Sequence, residues 1–257
     1  MVPVEAIDVL ASLEILAADQ WGVITAKQAE REGISRLWLS RLVKREYLTR
    51  ARRGVYLLPS FSSDSQSDLK VAWISLVPEK FLDERWQQSN KLVVSHESAA
   101  EVHGIGDLIS QQFTFSAEER KQSSQADIRI YTHRLLPDSD VVNVDGLPVT
   151  SVERTVLDLA EQKIEFNYLA RYVVEALEKQ GVGFVAFRRR LNAVASSYGF
   201  KSGSELIDSA LAEAGATEDL EDAVLRGNAA SDVLAALAES HREYLQKRPE
   251  KCACSGI

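Results

Sequence analysis

Ser95, His96, Glu97 and His103 are the residues that most invite chemistry, since a hydroxyl, two imidazoles and a carboxylate this close could serve a hydrolase or hold a metal. Their spacing argues against both. His96 and His103 stand two helical turns apart, neither has a second ligand at metal spacing, and His133 is distant in sequence. Ser95 lacks the glycines that flank a nucleophile elbow. The segment reads instead as a short helix ending at Gly104, with Ser95 as its N-cap and the histidines packed. Gly203-Ser204 with Asp208 offers part of a nucleotidyltransferase pattern. The acids of such a site should sit one residue apart on a strand, whereas Glu205-Leu-Ile-Asp-Ser-Ala-Leu has helical spacing. Arg188-Arg-Arg190 could bind phosphate but reads as the solvated face of a helix. Arg154 and Asp158 are spaced to pair on one helix face. The acids of Glu218–Asp222 suit a helix start. Cys252 and Cys254, the two cysteines of the chain, would need about two more metal ligands, and His241 offers one nitrogen, so they read as an inert tail. No catalytic residue, metal or cofactor is expected.

What remains is charge. The chain has 257 residues and a net charge of −8, but residues 27–53 carry nine Lys or Arg against Glu30, Glu32 and Glu46, a net of +6. A short basic segment on an acidic body points to a local surface for a polyanion.

The elements around that segment position it. Residues 4–19 read as an amphipathic helix with Ile7, Leu10, Ala11, Leu13, Ile15 and Leu16 as its apolar stripe. Gly22 ends it, and Val23-Ile24 can form a short strand. Thr25-Ala-Lys-Gln28 has the form of a capping box opening a second helix. Gly33 supplies a turn and Ser35 the N-cap of a third helix, Arg36–Arg45. Two helices joined by a short Gly turn have the form of a helix-turn-helix. On the third helix Leu39, Leu42 and Val43 face inward, opposite Leu37, Ser40, Arg41, Lys44 and Arg45, with Arg36 and Trp38 flanking. Leu48–Leu57 then reads as a β-hairpin whose tip, Arg53-Gly54, is basic. Three helices and a basic hairpin make a winged helix-turn-helix, in which a helix can enter the major groove and wing guanidiniums can hold phosphates. The candidate DNA-binding residues are Arg36, Ser40, Arg41, Lys44, Arg45, Arg50, Arg52 and Arg53.

Beyond a serine-rich stretch at 60–68 the pattern changes. Leu92-Val-Val-Ser95, Gln111–Phe115 and Asp127–Thr132 read as strands, and Val141–Thr150 as a hairpin turning at Asp145-Gly146. Thr150-Ser-Val-Glu153 caps a following helix, and from about 168 the chain is helical, with segments near 168–180, 184–198, 203–214 and 231–247. The expected fold is therefore α+β. A winged helix-turn-helix (1–59) and a linker (60–68) precede a mixed domain (69–257) with a small antiparallel sheet and a C-terminal helical bundle. Acids at the N-terminus and the lack of a long apolar run predict a cytoplasmic, membrane-free protein.

Two stretches carry a family resemblance. Ser95-His-Glu-Ser-Ala-Ala-Glu-Val-His-Gly-Ile-Gly106, followed by Gly146-Leu-Pro-Val-Thr-Ser-Val-Glu-Arg-Thr-Val-Leu-Asp-Leu159, resembles the AbiEi antitoxins of type IV, abortive-infection toxin–antitoxin systems. Gly33-Ile-Ser, Leu39-Ser-Arg-Leu-Val43, Tyr47-Leu-Thr-Arg and Arg53-Gly-Val-Tyr56 are similar to that family's winged-helix domain. The resemblance spans about residues 5–180. It implies a repressor that binds double-stranded DNA at repeats in its own promoter. It also implies that the larger domain counters a nucleotidyltransferase-like toxin without requiring a stable complex, and it carries over no catalytic residue. Residues after about 200 fall outside it. Two alternatives stand beside this reading. One is a ligand-responsive winged-helix repressor. The other is a relative of Vsr-like endonucleases, which share a similar front part but need Asp and Glu-x-Lys on adjacent strands to hold a metal.

Overall fold

The computed structural model describes residues 4–88, 91–108, 110–179, 182–215 and 220. The helix expected over 231–247, the acids of the Glu218–Asp222 cluster, His241 and both cysteines lie outside the described residues. By its contacts the chain divides into two compact units, 1–159 and 160–257.

The first unit begins with helix α1 (Val4–Ala17), strand β1 (Val23–Thr25), α2 (Ala26–Arg31), α3 (Arg36–Lys44), β2 (Thr49–Arg52) and β3 (Val55–Leu57). The capping box forms as the sequence predicts: Thr25 Oγ1 accepts from the Gln28 amide at 3.0 Å and Gln28 Oε1 accepts from the Thr25 amide at 2.9 Å. The strands pair antiparallel in the order β1-β3-β2, with Val23 opposite Leu57 and Thr49 opposite Leu57 on the other side. Leu13, Ile24, Leu39, Leu42, Leu48 and Leu58 close the core of this part. The stripe expected on α1 is corrected. Ala6, Leu13 and Ala17 are buried, whereas Ile7 and Ile15 are 54% and 77% exposed. At 100° per residue Ile15 stands about 200° from Leu13, so both cannot face one core.

The unit continues with α4 (Ser67–Leu76), α5 (Leu82–Trp86), β4 (Val93–Val94), α6 (His96–His103), β5 (Phe113–Ser116), β6 (Ile128–Tyr131), β7 (Val141–Val144), β8 (Leu147–Thr150) and α7 (Val152–Glu161). The five strands lie in the order β6-β5-β4-β8-β7. Antiparallel pairs join β4 to β5 and β7 to β8, while β5–β6 and β4–β8 run parallel. α4 is buried from Leu69 to Ile74, and its Val71, Ala72 and Trp73 share one apolar cluster with Val23 and Val55 of the small sheet and Val94, Phe115 and Val149 of the large one. A helix apolar on nearly every side must be enclosed, and here it packs with core residues of both sheets.

The Asp145-Gly146 turn is clasped from three directions. Trp21 Nε1 donates to the Asp145 carbonyl at 3.0 Å, Trp86 Nε1 donates to the Gly146 carbonyl at 2.9 Å, and Lys70 pairs with the carboxylates of Asp64 and Asp145. Both turn residues have positive φ, and a Cβ at Gly146 would come within 2.9 Å of the Trp21 ring. At the next boundary the cap of α7 is Ser151, whose hydroxyl accepts from the Arg154 amide at 3.3 Å, and not Thr150 as the sequence suggests. Thr150 is still paired as β8 opposite Val141.

The second unit is helical, with α8 (Phe166–Glu178), α9 (Phe184–Ala195) and α10 (Gly203–Ala214). Leu169, Tyr172, Val173, Phe187, Leu191, Leu206 and Ile207 are fully buried. Gly203 sits where α10 meets α9: a Cβ there would lie 2.2 Å from the Arg188 carbonyl oxygen. Gly203-Ser204 therefore serves helix packing, and Asp208 follows on the same helix.

Candidate nucleic-acid interface

α2, the turn at Gly33 and α3 form a tightly bonded unit. Gly33 adopts φ +82°, and the Ile34 amide donates to the Ala29 carbonyl at 2.8 Å, turning Ile34 into the core. Ser35 holds the N-cap position of α3, but its hydroxyl makes no capping bond; its carbonyl accepts from the Trp38 amide at 3.0 Å. Leu39 and Leu42 are wholly buried, which fixes the rotation of α3 about its axis. That rotation leaves Arg36, Leu37, Ser40, Arg41, Lys44 and Arg45 exposed together. The Arg41 guanidinium lies over the Trp38 ring, 5.1 Å from its centroid, which steadies the side chain without withdrawing it from solvent. Arg36 pairs with Glu30 at 2.6 Å, so an incoming phosphate must compete with that carboxylate. Leu37, 59% exposed among these cations, is an apolar group of the kind that packs on a thymine methyl.

In the hairpin the structure separates three arginines that the sequence grouped. Arg50 and Arg53 are exposed. Arg52 is a correction: it was expected beside Arg53 at the tip as a phosphate contact, but it faces the larger sheet. Its Nη2 donates to Asp127 at 2.6 Å, its Nη1 donates to Gln125 at 2.9 Å, and its guanidinium covers the Phe113 ring. The cause is a register shift between Arg50 and Arg52 that re-aims the second side chain, whereas strict alternation would keep both on one face. The Arg52 guanidinium in turn holds the Asp127 carboxyl below the usual carboxylate range. Arg52 thus anchors the hairpin, and the sequence carries no local signal of a partner 75 residues away. Arg52→Ala is expected to lower stability by about 1 kcal/mol, since Asp127 remains half exposed and solvated. It should change the salt slope of DNA binding less than Arg53→Ala; a larger change for Arg52 in salt titrations would show that it contacts phosphate after all.

The serine–histidine cluster is closed to any substrate. His96 is fully buried, with Nδ1 2.8 Å from Ser95 Oγ, and its ring stacks on Tyr131 at 3.7 Å. Burial, with smaller contributions from Arg134, Arg154 and Arg129, pushes its pKa down to about 3. Among the described residues its Nε2 has no hydrogen-bond partner, so none of their carboxylates orients the ring as a hydrolytic triad requires. Ser95 occupies the N-cap position of α6, but its hydroxyl accepts from Ser116 and meets His96 instead of capping. His103 donates from Nε2 to the Thr150 carbonyl at 2.7 Å, tying α6 to β8. Among the described residues no group of three His, Cys, Asp or Glu could hold a metal ion. Arg154 meets Asp158 at 2.8 Å, as the spacing predicts, and also Asp140 at 3.2 Å. Arg188–Arg190 lie on α9, with Arg189 exposed.

Comparison with known families agrees with this division of labour. A family model described as a transcriptional regulator, AbiEi antitoxin, matches residues 12–59. A second, described as the AbiEi antitoxin C-terminal domain, matches residues 92–203. Together they take in more than half of the chain. No curated protein matches it.

Proposed function

This chain belongs to the AbiEi antitoxin family, whose members are regulators and not enzymes, and from there we propose that it represses its own operon and counters a nucleotidyltransferase-like toxin. The DNA would be duplex repeats in its promoter, met by residues 1–59. Arg41 reads a base edge in the major groove, with Leu37 and Ser40 beside it. Arg36, Lys44 and Arg45 flank the groove, and Arg50 and Arg53 hold phosphates from the hairpin. Residues 69–257 carry the action against the toxin, which needs no lasting complex. The work is done in the cytoplasm, where the promoter is; among the described residues no helix is long and apolar enough to cross a membrane.

The observation that carries this reading is the orientation of α3. Leu39 and Leu42 are sealed in the core, and Leu37, Ser40, Arg41 and Lys44 stand in solvent on the opposite face. A reporter fused to the chain's own promoter tests it. Supplying the protein in trans is expected to lower reporter output, and Arg41→Ala to restore it. Unchanged output with the wild-type chain would end the repressor reading. The toxin is sought in an adjacent, translationally coupled gene. Its product should arrest growth, and this chain should relieve the arrest without copurifying with it.

A further inference from the structure

The first unit contains a cavity of about 530 Å³ beside the end of α4, within the size range of small-ligand sites. Its lining holds four cations, Lys80, Arg85, Lys91 and Lys121, against one carboxylate, Glu119. Arg85 is only 4% exposed and donates to the carbonyls of Trp73, Ile74, Val77 and Lys80, so it closes the C-terminal end of α4, and among the described residues no carboxylate pairs with it directly. Lys91 pairs with the exposed Asp138 at 3.0 Å. Among the described residues the ammonium groups of Lys80 and Lys121 have no ion-pair or hydrogen-bond partner. Lys121 is half-buried, and burial together with Arg85 and Lys80 lowers its pKa, with Glu79 opposing. Like charges drawn partly out of water without a counterion are unfavourable, and an anion would repair the deficit.

The Glu79–Lys80 edge of the rim is held in place before any ligand arrives. The Gln28 side-chain amide donates to the Lys80 carbonyl at 2.8 Å, and Arg31 donates to the Glu79 carbonyl at 3.2 Å and pairs with Glu84 at 2.8 Å. A site fixed in this way loses little freedom on binding. Four cations against Glu119 leave a surplus of three, or two once Asp138 is set against Lys91; a single carboxylate balances only part of it, whereas linked phosphates bring two or more negative charges in one ligand. We infer that this cavity binds the di- or triphosphate group of a small anion, held by the ammonium groups of Lys80, Lys91 and Lys121 beside the buried Arg85 guanidinium.

Calorimetric titration of the full chain with inorganic triphosphate, ATP and adenosine tests this. Triphosphate is expected to bind saturably at one site and adenosine not at all. ATP binding tighter than triphosphate identifies a nucleotide as the source, and equal binding identifies free polyphosphate. Lys80→Gln with Lys121→Gln should weaken triphosphate by at least about ten-fold, while Arg189→Gln on α9 leaves it unchanged. In the absence of ligand, Lys121→Met should melt at the same temperature or higher, because an unpaired half-buried charge is gone. The proposal is overturned by absence of saturable binding, or by a lower melting temperature for Lys121→Met. It is equally overturned if triphosphate affinity survives the double variant and is abolished by random duplex DNA, which would assign the anion to the exposed face of α3.

Discussion

Arg41→Ala is expected to weaken operator binding by about 1–3 kcal/mol, roughly 5- to 150-fold, and to relax discrimination at a single base pair. The side chain is exposed and lies over the Trp38 ring, so the fold should be untouched and the loss should come from the DNA. Adding Lys44→Ala should weaken operator and random DNA further and by similar factors, with the salt slope falling by about one unit. The hairpin gives the contrasting pattern. Arg50→Ala with Arg53→Ala should reduce both affinities alike and lower the slope by about two units, leaving the specificity ratio where it was. Titrations of operator and random duplex across salt separate these outcomes. If the hairpin variant loses specificity while Arg41→Ala only flattens the salt slope, the roles of α3 and the hairpin are reversed.

The second large effect is on acid stability. His96 has a folded pKa near 3 because burial disfavours its charged form, against an ordinary value of 6.5 in the unfolded chain. Between those values the unfolded chain binds a proton that the folded chain refuses. The stability is therefore fully present above about pH 6.5 and drains away as pH falls towards 3, by roughly 1.4 kcal/mol per pH unit and on the order of 5 kcal/mol in all. His96→Asn removes the titration, and asparagine tolerates the φ of +53° found there. Urea unfolding at pH 5.5 and 4.5 should give a slope in pH that is smaller in the variant by about 1.4 kcal/mol per unit. Equal slopes would mean that His96 is protonated, or reached by water, in the folded protein.

The patterns legible in the sequence were the local ones. The Thr25–Gln28 capping box, the glycine turn before α3, and the Asp145-Gly146 hairpin each lie within a few residues, and each forms. The face of α3 follows from helical periodicity once Leu39 and Leu42 are taken as core. What stayed hidden depends on partners far along the chain. Arg52 looks like Arg53 until Asp127 is brought beside it, and a register shift decides which way it points. Lys70 gives no hint that it will be buried with its ammonium group held between the solvent-exposed carboxylates of Asp64 and Asp145. The cavity assembles cations from positions 80, 85, 91 and 121, which no spacing rule links. His96 was expected to be packed, but its left-handed backbone and unpartnered Nε2 follow from a fold that over-determines a strained position.

The central claim is that α3 reads sequence in this chain's own promoter. The most direct measurement is a titration of the 257-residue chain against promoter duplex and against random duplex of equal length, from low to physiological salt. Promoter binding is expected to be at least about a thousand-fold tighter than random, with both affinities falling steeply as salt rises. Equal affinity for the two duplexes at every salt would contradict it, leaving the basic face of α3 as solvated surface.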